Sequence, residues 1–300
     1  MRIIEKTVPA NFNYFLCGDN HEGSVLQYSK GVDKFFDMLE SPWDGVMPRN
    51  NFAWHSGDHI EGIVIDDPRY DPRVCTEPIA TEQNKVFIKK WKPIAKKLIG
   101  MNEGNHPWKL HKFGNLTSDA CKALGIEYGT FRSIVIFKDR KGRVIFKAYH
   151  THGRKLIRSY AEPEKRKRAN RELILQRQLS SMAGDCLLQS KGHTHQLIVS
   201  RPQPVLYIAE KHDRIKAYYT NPDQLEVVSP TREFLSAEQT PSGFIHPDNR
   251  WYVNTGSFLR TIRENIVTYQ EALELPPTAL GFAIVEVRDR KIKDIKEVVL

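Results

Sequence analysis

The spacing of apolar residues along the chain predicts strands and helices that alternate through its first half. Short apolar runs have the length of buried strands, and longer segments with an apolar residue every three or four positions have the periodicity of helices. The predicted strands are 14–17, 51–55, 97–101, 130–137, 143–149 and 186–189. The predicted helices are 24–39, 80–95, 116–124 and 162–181.

Residues with special backbone chemistry mark where these elements begin and end. Ser24 is a candidate N-cap of the first helix, because its hydroxyl can accept a hydrogen bond from the first helical turn. Pro93 is expected to bend or end the second helix, and Gly125 closes the third. Residues 139–142, Asp-Arg-Lys-Gly, predict a hairpin between two strands. Residues 61–78 are punctuated by prolines and predict a loop that is longer than a usual connection.

The second half of the chain predicts shorter β segments. They lie at 196–200, 205–209 and 215–219, and late strands are predicted at 252–253 and 283–287. Strands alternate with helices in the first half, and antiparallel pairs are expected to dominate the second. This order predicts a layered α/β sandwich with two sheets.

Composition indicates a globular chain with reduced cysteines. The 300 residues, 40% of them apolar, are enough to bury a full core in one or two domains. The longest apolar runs are far shorter than the roughly 18 residues that indicate a membrane span. The first residues also lack the apolar core of a signal peptide. The cysteines have no metal-site spacing, which is typical of reduced thiols in a cytoplasmic protein. They are Cys17, Cys75, Cys121 and Cys186.

The positive charge is concentrated in one segment. The net charge is +9, and residues 153–183 contain nine Lys or Arg against three Glu. A surplus of this kind favours a polyanionic partner such as a nucleic-acid backbone, although a solvated helix face is the alternative. The cluster near the start of the predicted helix comprises Lys165, Arg166, Lys167, Arg168 and Arg171. We expect these side chains to bind the backbone away from the chemistry.

Polar clusters that could bind metal follow five of the apolar runs. Asp19 and His21 leave the first strand two residues apart, and a carboxylate oxygen with an imidazole nitrogen suits a divalent transition metal. Any one of these residues could instead be a helix cap or a turn residue. The carboxyl ends of strands in an α/β sheet are where functional residues collect, so the repetition favours a site. The full set is Asp19, His21, Asp58, Asn105, His106, His152, His193 and His195.

The order of these motifs resembles the calcineurin-like metallophosphoesterase family, whose motifs are GDxHxG, GD, GNH, a His-Gly pair and GHxH. Here they occupy residues 18–23, 57–58, 104–106, 152–153 and 192–195, and Asn254-Thr255-Gly256-Ser257 resembles a further late stretch. The resemblance implies an αββα sandwich with two mixed β-sheets flanked by helices. It implies one domain over 1–300 with insertions at about 62–80, 154–183 and 196–250.

The resemblance also implies two divalent metal ions, with manganese as the first choice and iron, zinc or nickel as alternatives. Asp58 would bridge the ions. Asp19, His21 and His195 would complete one site, and Asn105, His152 and His193 the other. Two ions about 3.5–4 Å apart lower the pKa of a water molecule and clamp phosphoryl oxygens, which phosphoester hydrolysis requires.

Two of these implied assignments have alternatives. His150 lies two residues before His152 and would share its strand face. His152 is preferred as the ligand because it precedes Gly153, as in the family's His-Gly pair. His106 resembles the family's catalytic histidine, which donates a proton to the leaving oxygen or binds the phosphate. Glu61 is the expected orienting partner of His106, with a solvated loop glutamate as the alternative.

Pro107 is a departure from the family pattern, because many members have an acidic residue after Asn-His. The chain also lacks the arginine that protein phosphatases carry in the second motif, since Glu61 is followed by Gly62. Neither change removes a ligand. Both argue against a close match to protein phosphatases.

The implied activity is a metal-dependent phosphodiesterase or nuclease acting on DNA or RNA. A phosphatase or phosphodiesterase acting on nucleotides or other small phosphoesters is the first alternative, and a binding protein that lost turnover is the second. Candidate phosphate contacts are Arg69, Arg73, Arg154, Lys155 and Arg158. The choice between DNA and RNA, the metal and the oligomeric state stay open at this point.

Overall fold

The computed structural model describes residues 1–203, 205–210, 214–219, 243–272, 274 and 276–300. The strands are β1 Arg2–Thr7, β2 Phe12–Cys17, β3 Asn51–His55, β4 Leu98–Met101, β5 Glu127–Tyr128, β6 Arg132–Lys138, β7 Val144–Thr151, β8 Leu188–Lys191, β9 Leu197–Ser200, β10 Leu206–Glu210, β11 Ile215–Tyr219, β12 Trp251–Thr255, β13 Gly281–Arg288 and β14 Lys291–Val299. The α-helices are α1 Ser29–Leu39, α2 Ala80–Trp91, α3 Asn105–Trp108, α4 Leu116–Leu124, α5 Glu164–Leu179 and α6 Tyr269–Ala272.

Two six-stranded mixed sheets form the centre of the molecule. Sheet I has the order β14-β13-β2-β3-β4-β5, and sheet II has the order β1-β6-β7-β8-β12-β9. Strands β2 to β5 run parallel in sheet I, and β7, β8 and β12 run parallel in sheet II. The other neighbours in sheet I, and β6-β7 and β12-β9 in sheet II, are antiparallel. Each sheet therefore has one edge where several carboxyl ends meet.

Strand β2 shows why the two sheets pack face to face. Its side chains alternate between faces, as in any strand, but both faces are apolar. Phe12, Tyr14 and Leu16 belong to the core between the sheets, whereas Phe15 and Cys17 face the outer core under the helices. Burying a side chain of this size stabilises the fold by roughly 1.5–3 kcal/mol. A strand that is apolar on both faces belongs in the middle of the layers.

Helices cover the outer face of each sheet. Phe35 of α1, Trp91 of α2 and Leu124 of α4 pack on sheet I, and Leu175 and Leu179 of α5 pack on sheet II. The layer order is helices, sheet, sheet, helix. The predicted α/β sandwich with two mixed sheets flanked by helices is confirmed. Within the described ranges, every helix is too short or too polar to cross a lipid bilayer.

Helix α1 departs from its predicted start. It begins at Ser29 with Tyr28 at the N-cap position, and the Ser24 hydroxyl instead accepts a hydrogen bond from the amide of Leu26. Ser24 pairs with Cys75 in an isolated β-bridge, so tertiary pairing replaces the first predicted helical turn. The prediction of Ser24 as an N-cap was wrong.

The remaining predicted elements agree with the structure apart from small shifts. Helix α2 ends two residues before Pro93 and continues as a 3₁₀ turn, and the hairpin at 139–142 joins β6 to β7. Strand β8 begins two residues later than predicted. Strands β1 and β14 were not predicted, because both are polar edge strands with little continuous apolar sequence. Part of the insertion predicted at 196–250 lies outside the described residues.

Candidate metal centre

The carboxyl ends of the parallel strands of both sheets meet at one place. The loops after β2, β3 and β8, the short helix after β4 and the residue after β7 carry the predicted ligands. The two sheets come close enough for His152 of sheet II to lie 3.1 Å from Asp58 of sheet I. The seven predicted ligands are all buried or half-buried: Asp19, His21, Asp58, Asn105, His152, His193 and His195. The structure therefore brings together the whole predicted set.

The backbone at this place adopts an unusual conformation. Among the described residues, eleven non-glycine positions have positive φ, and five of them are predicted ligands. These five are Asp19 at 51°, His21 at 53°, Asp58 at 50°, His193 at 74° and His195 at 55°. Such a conformation costs roughly 1–3 kcal/mol per residue and persists where the surroundings impose it, commonly at functional sites.

Asp19, His21 and His195 form the first group of ligand atoms. Nε2 of His195 lies 3.4 Å from a carboxylate oxygen of Asp19 and 3.3 Å from Nε2 of His21. Nε2 of His21 lies 4.0 Å from the same oxygen. One carboxylate oxygen and two imidazole nitrogens that converge in this way fit a divalent transition metal.

Asp58, His152 and His193 form the second group, and the side chain of Asn105 contacts His152 of this group. Nδ1 of His152 lies 2.9 Å from the backbone carbonyl of Ser56, which can only accept, so this nitrogen carries a proton. The other nitrogen, Nε2, lies 2.8 Å from the amide oxygen of Asn105 and 3.1 Å from Asp58. A nitrogen that faces two oxygens needs a proton or a cation between them. The donor set therefore fits a metal ion.

Two motif glycines allow the ligand loops to approach each other. A Cβ atom on Gly104 would lie 2.0 Å from a carboxylate oxygen of Asp58, and one on Gly192 would lie 2.9 Å from Asp19. Both distances are shorter than real carbon–oxygen contacts. Glycine is thus required at these positions of the GNH and GHxH motifs, because Asp58 packs against Gly104 and Asp19 packs against Gly192.

Asp58 contacts both sides of the centre. One carboxylate oxygen accepts a hydrogen bond of 2.9 Å from the amide of His106, and the other faces His152. Its backbone carbonyl accepts a hydrogen bond of 3.0 Å from the amide of His21. Burial alone would raise the pKa of Asp58, but positive charge on His152 and His106 holds it well below its usual range. Asp58 therefore stays ionised at neutral pH, as a bridging ligand must.

The carboxylate of Glu61 orients His21 rather than His106. Oε2 of Glu61 lies 2.8 Å from Nδ1 of His21. Burial would lower the pKa of His21, but this carboxylate raises it to about 9. His106 instead places Nδ1 against the backbone carbonyl of Glu61. The prediction that the Glu61 side chain orients His106 was wrong, because the loop registers bring that side chain to a different imidazole.

We expect Glu61→Gln to weaken metal binding while the fold stays intact. Gln keeps the shape of Glu but removes the charge that holds the Nδ1 proton of His21. Loss of such a partner typically lowers metal affinity roughly 10- to 100-fold. Calorimetric titration with Mn²⁺ measures the change, and Glu82→Gln on α2, a half-buried position that pairs with Lys85 and belongs to neither group of ligand atoms, is the matched control. An affinity equal to that of the unmodified chain would contradict the assignment.

His150 lies in the core between the sheets. Nε2 of His150 lies 2.8 Å from the hydroxyl of Tyr14, Nδ1 lies 2.7 Å from the hydroxyl of Ser190, and the ring stacks on Trp54. Burial lowers the pKa of His150 to about 3, so it is a neutral core residue. The structure places His152, not His150, beside Asp58.

A cavity of about 620 Å³ opens onto the metal centre. Asp58, Asn105 and His106 lie on its wall, as do His193 and His195. Its cationic lining comprises Arg69, Arg158, Lys167 and Arg171. A larger cavity of about 930 Å³ contains none of the predicted site residues. The smaller cavity is the relevant one, because chemistry requires contact with the ligand groups.

Three of the predicted phosphate contacts, Arg73, Arg154 and Lys155, do not line the cavity. Arg73 forms an exposed ion pair with Asp71 at 2.7 Å and does not line the cavity. Arg154 and Lys155 line a neighbouring groove. Arg69 does reach the cavity, although it also binds Asp67 through two hydrogen bonds.

The basic segment of α5 is closer to the centre than predicted. Lys167 and Arg171 line the cavity, and each pairs with Glu164. Arg168 pairs with Glu297 at 2.8 Å. The expectation that the cluster lies away from the ligand motifs was wrong for Lys167 and Arg171, which share the cavity with His193 and His195. That the five cations bind nucleic acid without taking part in the chemistry stays a prediction.

Two backbone carbonyls and one hydroxyl orient residues of the site, and most of these groups could not be predicted from the sequence. The carbonyl of Ser56 fixes the ring of His152, and the carbonyl of Glu61 fixes that of His106. Ser257 donates its hydroxyl proton to the carbonyl of Asp19 at 3.1 Å. Only Ser257 belongs to a stretch that the motif pattern identified.

No protein-family model matches the chain, and no match among curated proteins was found.

Proposed function

We propose that the chain is a metal-dependent phosphoester hydrolase that resembles the calcineurin-like metallophosphoesterases. The observation that carries the proposal is the meeting of two buried groups of ligand atoms at the strand ends, in the motif order of that family. Asp19, His21 and His195 would hold one divalent ion. Asn105, His152 and His193 would hold the other, with Asp58 between them.

The donor atoms set the class of metal. They are imidazole nitrogens and carboxylate or amide oxygens, which suit manganese, iron, zinc or nickel. When bound, such ions neutralise charge on phosphoryl oxygens and lower the pKa of a water molecule. We propose Mn²⁺ as the first metal to test, in two sites.

The residues around the ligands have separable tasks in this proposal. His106 lines the cavity and is not among the proposed ligands, so its imidazole is placed to protonate the leaving oxygen or hold the phosphate. Arg158, Lys167 and Arg171 would attract and orient the anionic substrate. Nδ1 of His106 faces the backbone carbonyl of Glu61, which can only accept a hydrogen bond, so Nε2 is left for the substrate.

Turnover of bis-p-nitrophenyl phosphate tests the proposal. We expect hydrolysis with added Mn²⁺ and its loss in EDTA. The absence of turnover with Mn²⁺, Fe²⁺, Zn²⁺ and Ni²⁺ would favour the binding protein that lost catalysis.

We propose a nucleic-acid phosphodiester as the substrate. Four cations line the cavity together with Glu162 and Glu274, and Arg154 and Lys155 line the neighbouring groove. A surplus of basic side chains around a metal centre complements a phosphate backbone. Comparison of labelled DNA and RNA with small chromogenic diesters separates this substrate from the small-phosphoester alternative.

We expect replacement of Lys165 and Arg166 by Gln to reduce the salt dependence of nucleic-acid binding. Both side chains are exposed on α5, and no ion pair holds either of them within the described ranges. Each lost phosphate contact lowers the logarithmic salt slope by about 0.7 to 0.9. Lys30 and Lys34 on α1, at the opposite outer layer, provide the matched double control. A slope unchanged by the α5 pair would assign it to a solvated helix face.

A further inference from the structure

A groove beside the metal centre has a lining that the proposed chemistry does not use. Its volume is about 500 Å³. The aromatic side chains Trp108 and Phe131 line it with four basic residues, Arg132, Arg154, Lys155 and Lys191. No carboxylate lines the groove in the part of the chain that the structure describes. This lining complements an anion that also has an apolar, flat surface.

The groove adjoins the metal centre through the chain itself. Trp108 ends α3, the helix that carries His106. Gly153 of the groove directly follows His152, and Lys191 is the last residue of β8, whose loop carries further ligands. A substrate with its phosphate at the metal centre can therefore extend a neighbouring group into the groove.

Trp108 gives the groove an aromatic face in contact with solvent. The residue is 41% exposed, and its ring meets Phe131 edge-on with centroids 4.9 Å apart. The guanidinium of Arg154 lies 5.8 Å from the centroid of Phe131. The two rings are nearly perpendicular, and the ring of His111 also lies against the indole, with centroids 3.9 Å apart. The solvent-exposed part of the indole, with a cation nearby, is a surface of the kind on which a base stacks.

Lys191 fixes a positive charge in the wall of the groove. The residue is 2% exposed, and its ammonium donates hydrogen bonds to the carbonyl of Lys155 at 2.6 Å and to Gln178 at 2.8 Å. Both acceptors are neutral. The charge of Lys191 is therefore held in place without a hydrogen-bonded carboxylate, and it adds to the attraction for phosphate.

We propose that this groove binds one base of a single-stranded nucleic acid, next to the phosphodiester that enters the metal centre. The proposal rests on the proposed function and adds a substrate class to it. A base within a duplex is stacked on both faces, whereas an unstacked base offers a free face to Trp108. The flanking cations would contact the phosphates on either side of that base.

Binding of two single strands of equal length tests the base subsite. One is labelled oligothymidylate, and the other is an abasic strand with the same phosphates. Fluorescence anisotropy in EDTA, where metal-dependent cleavage stops, gives both affinities. We expect Trp108→Leu, which keeps an apolar side chain but removes the π-face, to weaken oligothymidylate binding roughly 5- to 150-fold. Trp108→Phe should retain most of the affinity.

The abasic strand and a distant aromatic residue provide the controls. Trp108→Leu should change abasic binding little, and Tyr207→Ala on β10, an exposed aromatic outside the groove, should change neither. Equal effects of Trp108→Leu on both strands, or none on either, would overturn the subsite. If Trp108→Leu does not fold, quenching of the tryptophan fluorescence of the unmodified chain tests the base subsite instead. Quenching by oligothymidylate alone supports stacking, and equal quenching by both strands overturns it.

Turnover separates failure of the subsite from failure of the proposed function. The unmodified chain is assayed for Mn²⁺-dependent hydrolysis of bis-p-nitrophenyl phosphate. Hydrolysis without base-dependent binding overturns the base subsite alone. Base-dependent binding without hydrolysis by any metal supports the groove and overturns the hydrolase.

Discussion

Asp58→Asn should lower turnover of bis-p-nitrophenyl phosphate by more than about 100-fold, since loss of an outer partner alone costs roughly 10- to 100-fold. Asn keeps the shape and can still accept the amide hydrogen bond of His106, so the fold should persist. It removes the buried negative charge, which lies 3.1 Å from His152 and close to His21 and His106. The two proposed metal ions, held close together, would need this charge, so the occupancy of both should fall.

The measurement combines kcat with metal content after desalting. Asp37→Asn, on the exposed side of α1, is the matched control and should change neither quantity. Circular dichroism confirms that both variants fold. Near-normal turnover of Asp58→Asn with two metals still bound would remove Asp58 from the bridging position.

The meeting of the candidate ligands at one place could be predicted from the sequence because each motif is local. In most of these motifs an apolar run ends in Gly and is followed by Asp, Asn or His, as at Asp19 and Asp58. The apolar run predicts the strand, and the polar residue after it is the candidate ligand. Parallel pairing of neighbouring strands then brings those ends together. His152 also lies just beyond its strand, β7, although its glycine follows it, whereas His150 remains inside the core.

The partners of the ligands could not be predicted in the same way, because they depend on contacts between loops. Glu61 reaches His21 because the loop after β3 pairs with the loop after β2, where Glu22 accepts the amide hydrogen of Glu61 at 2.8 Å. No spacing in the sequence encodes that register. The approach of Lys167 to the cavity likewise depends on how α5 packs on sheet II, through Leu175 and Leu179.

The polar edge strands were missed for a different physical reason. β14 pairs with β13 on one side only, and five of its nine residues are charged, with a pairing irregularity opposite residues 286–287. Charged edges discourage pairing with other chains, and they also weaken the apolar signal on which prediction depends.

His106→Ala should leave metal content unchanged and slow hydrolysis most for substrates with poor leaving groups. The ring is buried against His21, with centroids 4.7 Å apart, and it lines the cavity. Burial lowers the pKa of His106, while a substrate phosphate beside it would favour the protonated form. A general acid contributes roughly 10²- to 10⁴-fold to such a step. A nitrophenolate needs little protonation as it leaves, whereas an alkoxide needs it fully.

The informative quantity is therefore the ratio of two hydrolysis rates, one for a chromogenic diester and one for an alkyl phosphodiester. In His106→Ala, hydrolysis of the chromogenic diester should slow less than hydrolysis of the alkyl phosphodiester. The metal content of the variant should match that of the unmodified chain. His246→Ala, an exposed imidazole away from the cavity, is the control. His106 also lies in a group of potential ligand atoms with His21 and Glu61. Loss of metal from His106→Ala would make it a ligand of that group, and an equal fall for both substrates would exclude proton donation to the leaving oxygen.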